Sequence, residues 1–351
     1  MMQQNDSTPR FSSAQTPRFP QRILIIKPSS LGDVVHALPT VNLIRRHFLD
    51  AHISWLINDS LVSLLKNCPI INETIAFPRY DGAKLPRLVR QLRRGRFDLV
   101  VDLQGLLRSG LMTWTTRASR RVGLSGAREG ARLFYNEVVK VPCAHAVERY
   151  LCAARHLGCG NGPIEFPLGS SDEDRATVDK LLLHSPLTTH HSLIAINPSA
   201  RWPTKLWGDA KFAALIEKLP RGRVVITGSA ADAARTAGVV GGLRSGATVL
   251  NLTGKTDLSQ LAELCRRCAV VISNDSGPMH IAAAVGTPVV AIFGPTDPEL
   301  TRPYYGKQHV VLRAGIPCSP CMKDHCTHAP RMECMSLLTV EQVLAAVQPF
   351  L

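Results

Sequence analysis

Short β-branched runs alternate with stretches of helical period along this chain, and the alternation starts twice. Arg22 to Lys27 (RILIIK), His52 to Asn58 (HISWLIN) and Phe97 to Leu103 (FDLVVDL) read as strands. Between them lie a helix from about Asp33, with Val34, Ala37, Leu38, Val41 and Ile44 on one face, and an amphipathic helix through Leu85, Leu88, Val89 and Leu92. Pro39 is placed to kink the first helix. The pattern restarts with strands at 193–197, 223–227, 248–252, 269–273 and 288–293, and helices at 212–219, 258–268 and 278–285. A last amphipathic helix, near Thr339 to Val347, is free to pack on either half. Such alternation demands parallel sheets covered by helices on both faces. Two series in 351 residues predict two doubly wound α/β domains, 21–185 and 186–351, behind a disordered tail, 1–20.

The chain carries a net charge of +14. Much of it lies between Arg79 and Arg132, with Arg87, Arg90, Arg93, Arg94 and Arg96 in one stretch. A solvated helix face explains these arginines, and so does an anionic partner. Nucleic acid is disfavoured: aromatic residues are only 5% of the chain, too few to stack bases, and no nucleic-acid-binding motif is present. A lipid or sugar-phosphate partner fits better. No apolar run reaches the roughly 18 residues of a membrane span, and the N-terminus lacks the apolar core of a signal peptide. A cytoplasmic protein is therefore expected.

In open α/β sheets, ligands bind beyond the carboxyl ends of strands, so chemistry belongs in the loops there. Lys27 to Asp33 (KPSSLGD) follows the first strand. Ser29 and Ser30 are donors, Gly32 suits a tight turn, and Asp33 either caps the helix or serves as a general base. Asn197 to Trp207 opens the second half. There Ser199, Arg201 and Lys205 can meet a phosphate, or the loop is a solvated one packed by its tryptophans. Ser273 to His280 (SNDSGPMH) ends a strand and opens a helix whose N–H groups favour an anion. Asp275 suits sugar hydroxyls or backbone donors, and His280 is a ligand or a core histidine. Phe293 to Asp297 (FGPTD) is a turn or a cover over the ligand. Neither a Walker A loop nor G-x-G-x-x-G is present, which disfavours P-loop and dehydrogenase chemistry.

Ten cysteines are present. Six are scattered and read as small apolar core residues. Cys318, Cys321, Cys326 and Cys334 lie close in sequence, a spacing that suits structural zinc or iron, or a set of reduced thiols.

KPSSLGDVVHALPTV, NPSARWPTKLW, ITGSAAD and SNDSGPMHIAAAVGTPVVAIFGPTDP together resemble the ADP-heptose:lipopolysaccharide heptosyltransferases of glycosyltransferase family 9. The likeness runs from about residue 22 to the C-terminus. It implies a GT-B fold, two Rossmann-like domains with the acceptor on the first and the nucleotide sugar on the second. It also implies inverting transfer of heptose from ADP-heptose to the lipid-linked inner core of lipopolysaccharide, without a catalytic metal. Asp33 matches the family's general base and Lys205 its phosphate-binding lysine. Asp275, Ser276, Gly277 and His280 match the donor-binding signature, and Ser199 and Ala200 fall where small residues approach the diphosphate; Arg201 is expected beside them on the donor side, and Ser30 and Gly32 on the acceptor side. Where some members carry a donor-binding glutamate after the strand ending at Thr227, this chain offers Asp232. The anionic acceptor sits on a membrane leaflet, which would place the protein at the inner face of the cytoplasmic membrane. Competing readings are a related transferase for another sugar nucleotide, and a binding protein on the same fold.

Overall fold

The computed structural model describes residues 20–183, 192–244, 247–304 and 308–351. Two six-stranded, all-parallel sheets organise them. The first holds β1 (Arg22–Ile26), β2 (His52–Asn58), β3 (Glu73–Phe77), β4 (Leu99–Asp102), β5 (Arg120–Leu124) and β6 (Glu137–Val139), in the order β3-β2-β1-β4-β5-β6. The second holds β7 (Leu193–Asn197), β8 (Val224–Ile226), β9 (Val249–Asn251), β10 (Cys268–Asn274), β11 (Val289–Ile292) and β12 (His309–Leu312). Its order, β12-β11-β10-β7-β8-β9, is the same doubly wound arrangement read from the other edge. The strand order reverses beside β1 and beside β7, and a crevice opens at each switch point.

The helices are α1 (Leu31–His47), α2 (Leu85–Arg94), α3 (Leu107–Thr115), α4 (Ala146–His156), α5 (Asp172–Leu183), α6 (Asp209–Lys218), α7 (Ala233–Gly241), α8 (Leu258–Arg266) and α9 (Gly277–Ala284), then short α10 (Pro298–Thr301) and α11 (Glu333–Ser336), and α12 (Val340–Val347). Strand β1 shows why both sheet faces must be covered. Ile23 and Ile25 pack with Val34, Leu38 and Val41 of α1, whereas Leu24 and Ile26 pack with Leu88 and Leu92 of α2. Every β1 side chain after Arg22 is fully buried. That is why the strand reads as an unbroken apolar run and not as an alternation.

The halves do not stand apart. One continuous core runs from β1 and α1 through Met279 and Ile281 of α9 to Leu193 and Ala195 of β7. Helix α5 falls within the predicted first half, yet it packs on α8. Its buried Asp174 accepts hydrogen bonds from Ser259 of α8 and from Asn67. The predicted boundary near 185 and nearly all of the predicted tail lie outside the described residues. Helix α12 settles on the second half, against α6 and β11. Pro39 lies inside α1, which is assigned as one continuous helix. Strands β3, β5, β6 and β12 were not predicted. No described helix is long and apolar enough to cross a membrane.

Candidate active site

The loop after β1 delivers Asp33 as the third residue of α1, where it closes a capping box with Ser30. Its Oδ2 accepts the Ser30 backbone N–H (3.1 Å) and the Ser30 hydroxyl (2.7 Å), and its Oδ1 accepts the Tyr150 hydroxyl from α4 (3.2 Å). Burial alone would push the Asp33 carboxyl up. The Lys27 charge and the two Ser30 hydrogen bonds outweigh it and hold the group below the usual carboxylate range. Asp33 is therefore ionised near neutral pH. Lys27 is itself buried, and burial pulls its ammonium down; Asp33 and Asp102 oppose that pull. Its Nζ donates to Gln104 (3.3 Å) and lies over the Tyr150 ring (5.2 Å).

Facing this cluster is the start of α9. The His280 ring lies against Gly32, where a Cβ would come within 2.5 Å of the imidazole. A Cβ on Gly277 would likewise meet Leu31 at 2.5 Å. The predicted tight turn at Gly32 is thus replaced by a different requirement: Gly32 begins a helix, and it lacks a side chain because His280 fills that space. His36, one turn after Asp33, places Nε2 3.0 Å from His280 Nδ1. Among the described residues the other nitrogen of His36 is buried without a hydrogen-bond partner. An unpaired lone pair costs less there than an unpaired N–H, so the proton is assigned to His36 Nε2. His280 then carries its own proton on Nε2. Burial pulls the His280 imidazole down to about 3, and burial with the facing His280 pulls His36 well below its ordinary range. Both rings are neutral at pH 7.

Across the cleft, Lys205 Nζ donates to Asp275 Oδ2 (2.7 Å) and lies 4.8 Å above the Trp202 ring. The same carboxylate oxygen accepts the Thr296 hydroxyl (2.6 Å). Asp275 thus orients a lysine, and Thr296 of the turn after β11 braces Asp275. Asn274 ties the two loops together: its amide donates to Pro198 O (2.7 Å) and its oxygen accepts Trp207 N–H (3.2 Å). A cavity of about 330 Å³ lies among Asp33, His36, Lys205, Asp275 and His280. It shares Leu31, Arg201, Ser276 and Gly277 with a second cavity of about 550 Å³, lined by Ser199, Ala200 and Asp232. Among the described residues Ser199 Oγ is buried there with no hydrogen-bond partner. Ser276 holds the N-cap position of α9, and its hydroxyl lies 3.1 Å from that of Ser273. Asp232 Oδ2 is occupied by the backbone and hydroxyl of Ser229 (2.8 and 2.6 Å).

The structure brings together at one cleft Asp33, Lys205 and the other residues predicted for this site. Sequence reasoning missed Tyr150 and His36, and it read Thr296 only as part of the turn or cover after β11. Of the two missed residues only His36 left a signal, three residues beyond Asp33 on the same helical face.

The four cysteines predicted as metal ligands are elsewhere. They line one cavity of about 220 Å³ with His328 and Glu333. Cys326 Sγ accepts the Met332 N–H (3.3 Å). Among the described residues no three side chains are arranged as metal ligands.

A carboxylate on one lip, a braced lysine on the other and two doubly wound sheets between them define a glycosyltransferase of the GT-B class. Residues 85–331 match glycosyltransferase family 9 (heptosyltransferase). The chain is 30% identical to lipopolysaccharide heptosyltransferase 1 of Pseudomonas aeruginosa, over 92% of each protein. It is also 30% identical to lipopolysaccharide heptosyltransferase 2 of Salmonella typhimurium, over 83% of this chain and 87% of that one. Among solved structures, the ADP-heptose lps heptosyltransferase II of E. coli superposes with a TM-score of 0.77 at 26% identity, covering 94% of this chain and 98% of that one. The chain belongs to glycosyltransferase family 9.

Proposed function

We propose that this enzyme transfers heptose from ADP-heptose to the inner core of lipopolysaccharide with inversion at the anomeric carbon. The observation that carries the reading is the placement of Asp33 and Lys205 on one cavity that opens into a second, larger one. The names of the relatives support the donor and the acceptor class. In this reading residues 21–185 carry the acceptor and 186–351 the donor. ADP occupies the larger cavity, against Ser199, Ala200, Arg201, Ser276 and Gly277. Asp33 takes the proton from the acceptor hydroxyl as that oxygen bonds to the anomeric carbon. The bond from that carbon to the diphosphate breaks, and its electron pair leaves with ADP. Lys205, held by Asp275, stabilises the charge that gathers on the diphosphate, so the step invokes no catalytic metal. His280 offers a neutral N–H to the same region. Ser30 and Gly32 border the acceptor side.

The acceptor is an anionic saccharide on a membrane lipid, and the protein works at the cytoplasmic face as a peripheral enzyme. The pairing of Asp232 Oδ2 with Ser229 favours a second reading, in which donor recognition at that position differs and the donor is another sugar nucleotide. In this reading the four cysteines that line one cavity are the thiolates of a structural zinc or iron site. Stoichiometric metal in protein purified without chelator would support it, and metal-free folded protein would leave four reduced thiols.

The deciding experiment measures ADP release from ADP-heptose with lipopolysaccharide precursors truncated in the inner core, for wild type and Asp33→Ala. Release that needs acceptor and collapses in the variant is the expected result. Undiminished activity in Asp33→Ala would remove Asp33 from the mechanism. Acceptor-dependent release from another sugar nucleotide alone would move the assignment to the second reading.

A further inference from the structure

Helix α3 turns its apolar residues outward. Leu107, Leu111 and Trp114 follow one another at helical spacing and are 43%, 44% and 58% exposed, while Ser109, Gly110 and Thr113 are buried. Leu133, 87% exposed, stands on the turn at 131–134 that packs against α3. Helix α2 also packs against α3 and presents exposed Arg87, Arg90, Arg93 and Arg94, continued by Arg96. Among the described residues, none of these five arginines lies within 4.0 Å of a carboxylate; the ion pairs nearby use Lys84 and Arg120. Large aliphatic and indole side chains held in water beside unpaired guanidinium groups have no account in the folding of this chain.

We infer that the α2–α3 face is a docking surface for an anionic lipid bilayer, with Leu107, Leu111 and Trp114 entering the headgroup region and the α2 arginines meeting lipid phosphates. The inference rests on the lipid-anchored acceptor of the reading above and names the surface that meets the lipid. Charge complementarity selects the occupant: a polybasic segment beside an apolar helical stripe is the pattern of an interfacial anchor. Leucines do not stack bases, which disfavours a nucleic acid here. Position supports the same occupant. Gln104, three residues before Leu107, accepts hydrogen bonds from Lys27 Nζ and Ser29 N, both at 3.3 Å, and Ser29 adjoins Ser30, which lines the Asp33 cavity. The N-terminal end of α3 therefore stands at the cleft rim, within reach of a headgroup entering toward Asp33.

The test is co-sedimentation of the full chain with phosphatidylcholine vesicles, with and without about 30% phosphatidylglycerol. Three proteins are compared: wild type, Leu111→Ser/Trp114→Ser and Arg90→Gln/Arg93→Gln/Arg94→Gln, all checked for unchanged melting temperature. Wild type should bind the anionic vesicles and show a blue shift of its tryptophan emission, because Trp114 is the one exposed tryptophan. Each lost arginine should weaken partitioning about fivefold, so the triple variant loses about a hundredfold. The Leu111/Trp114 variant should lose at least about tenfold. It should keep wild-type ADP release on a water-soluble, delipidated acceptor and lose rate only on acceptor embedded in vesicles. Absence of ADP release from wild type on either acceptor would sink the transferase reading while leaving the vesicle result to stand or fall by itself. Vesicle binding by both variants at wild-type strength would overturn the docking face. A wild type that ignores vesicles but forms a dimer the variants break, or binds an RNA oligonucleotide instead, would overturn it too.

Discussion

Lowering the pH asks the His36–His280 pair to take up protons where there is no room for charge. The two rings meet at 3.0 Å and are almost completely buried. In the unfolded chain each imidazole protonates near its ordinary value of about 6.5, whereas burial holds His280 in the fold down to about 3. The unfolded state therefore binds more protons throughout that window. Stability is complete above pH 6.5 and is lost as pH falls from 6.5 toward 3. At about pH 5 the loss from His280 alone is about 2 kcal/mol, from about 1.4 kcal/mol per unit. His36 is depressed too and adds in the same direction. The assay is urea unfolding at about pH 7.5 and about pH 5 for wild type and for His36→Asn/His280→Asn, which keeps a polar pair that does not titrate. Carboxylates elsewhere act equally in both proteins, so the difference between the two pH dependences isolates the histidines. Wild type should lose at least about 2 kcal/mol more than the variant between those two pH values. Equal pH dependence would refute the claim that these rings are held neutral.

Three further outcomes follow from the same cleft. Lys27→Met removes the largest downward influence on Asp33 while leaving it buried; the acid limb of kcat/KM against pH should move to higher pH, and an unmoved limb would mean that Asp33 does not set it. Lys205→Met should lower kcat by about 10²–10³ with a smaller change in acceptor KM, the signature of charge stabilised mainly in the transition state. Gly32→Ala drives a methyl group into the His280 ring, 2.5 Å away where contact needs more than 3 Å; unfolding measurements should show a loss of about 1–3 kcal/mol.

What the sequence disclosed and what it hid divide along a physical line. The loops after β1, β7 and β10 were legible because a buried parallel strand is an unbroken apolar run, and the loop at its carboxyl end is where a ligand must bind. Strands β3, β5, β6 and β12 were not: β6 has only three residues, and β5 begins with two arginines whose stems and charges hide the pattern. Partners across the cleft were hidden more deeply. Tyr150 meets Asp33 from 117 residues away, and His280 meets His36 from 244 away, with no periodicity to betray either contact. Gly32 was read as a turn because a single sequence shows that a side chain is absent, not what occupies its place. These hidden contacts explain why the halves and the chemistry cannot be considered separately. The glycines that let α1 and α9 approach also bring His280 over Gly32 beside the Asp33 carboxylate. A substitution that loosens that approach should therefore lower stability and transfer together, whereas one in the Lys205–Asp275–Thr296 brace, which lies wholly within the second half, should reach transfer first.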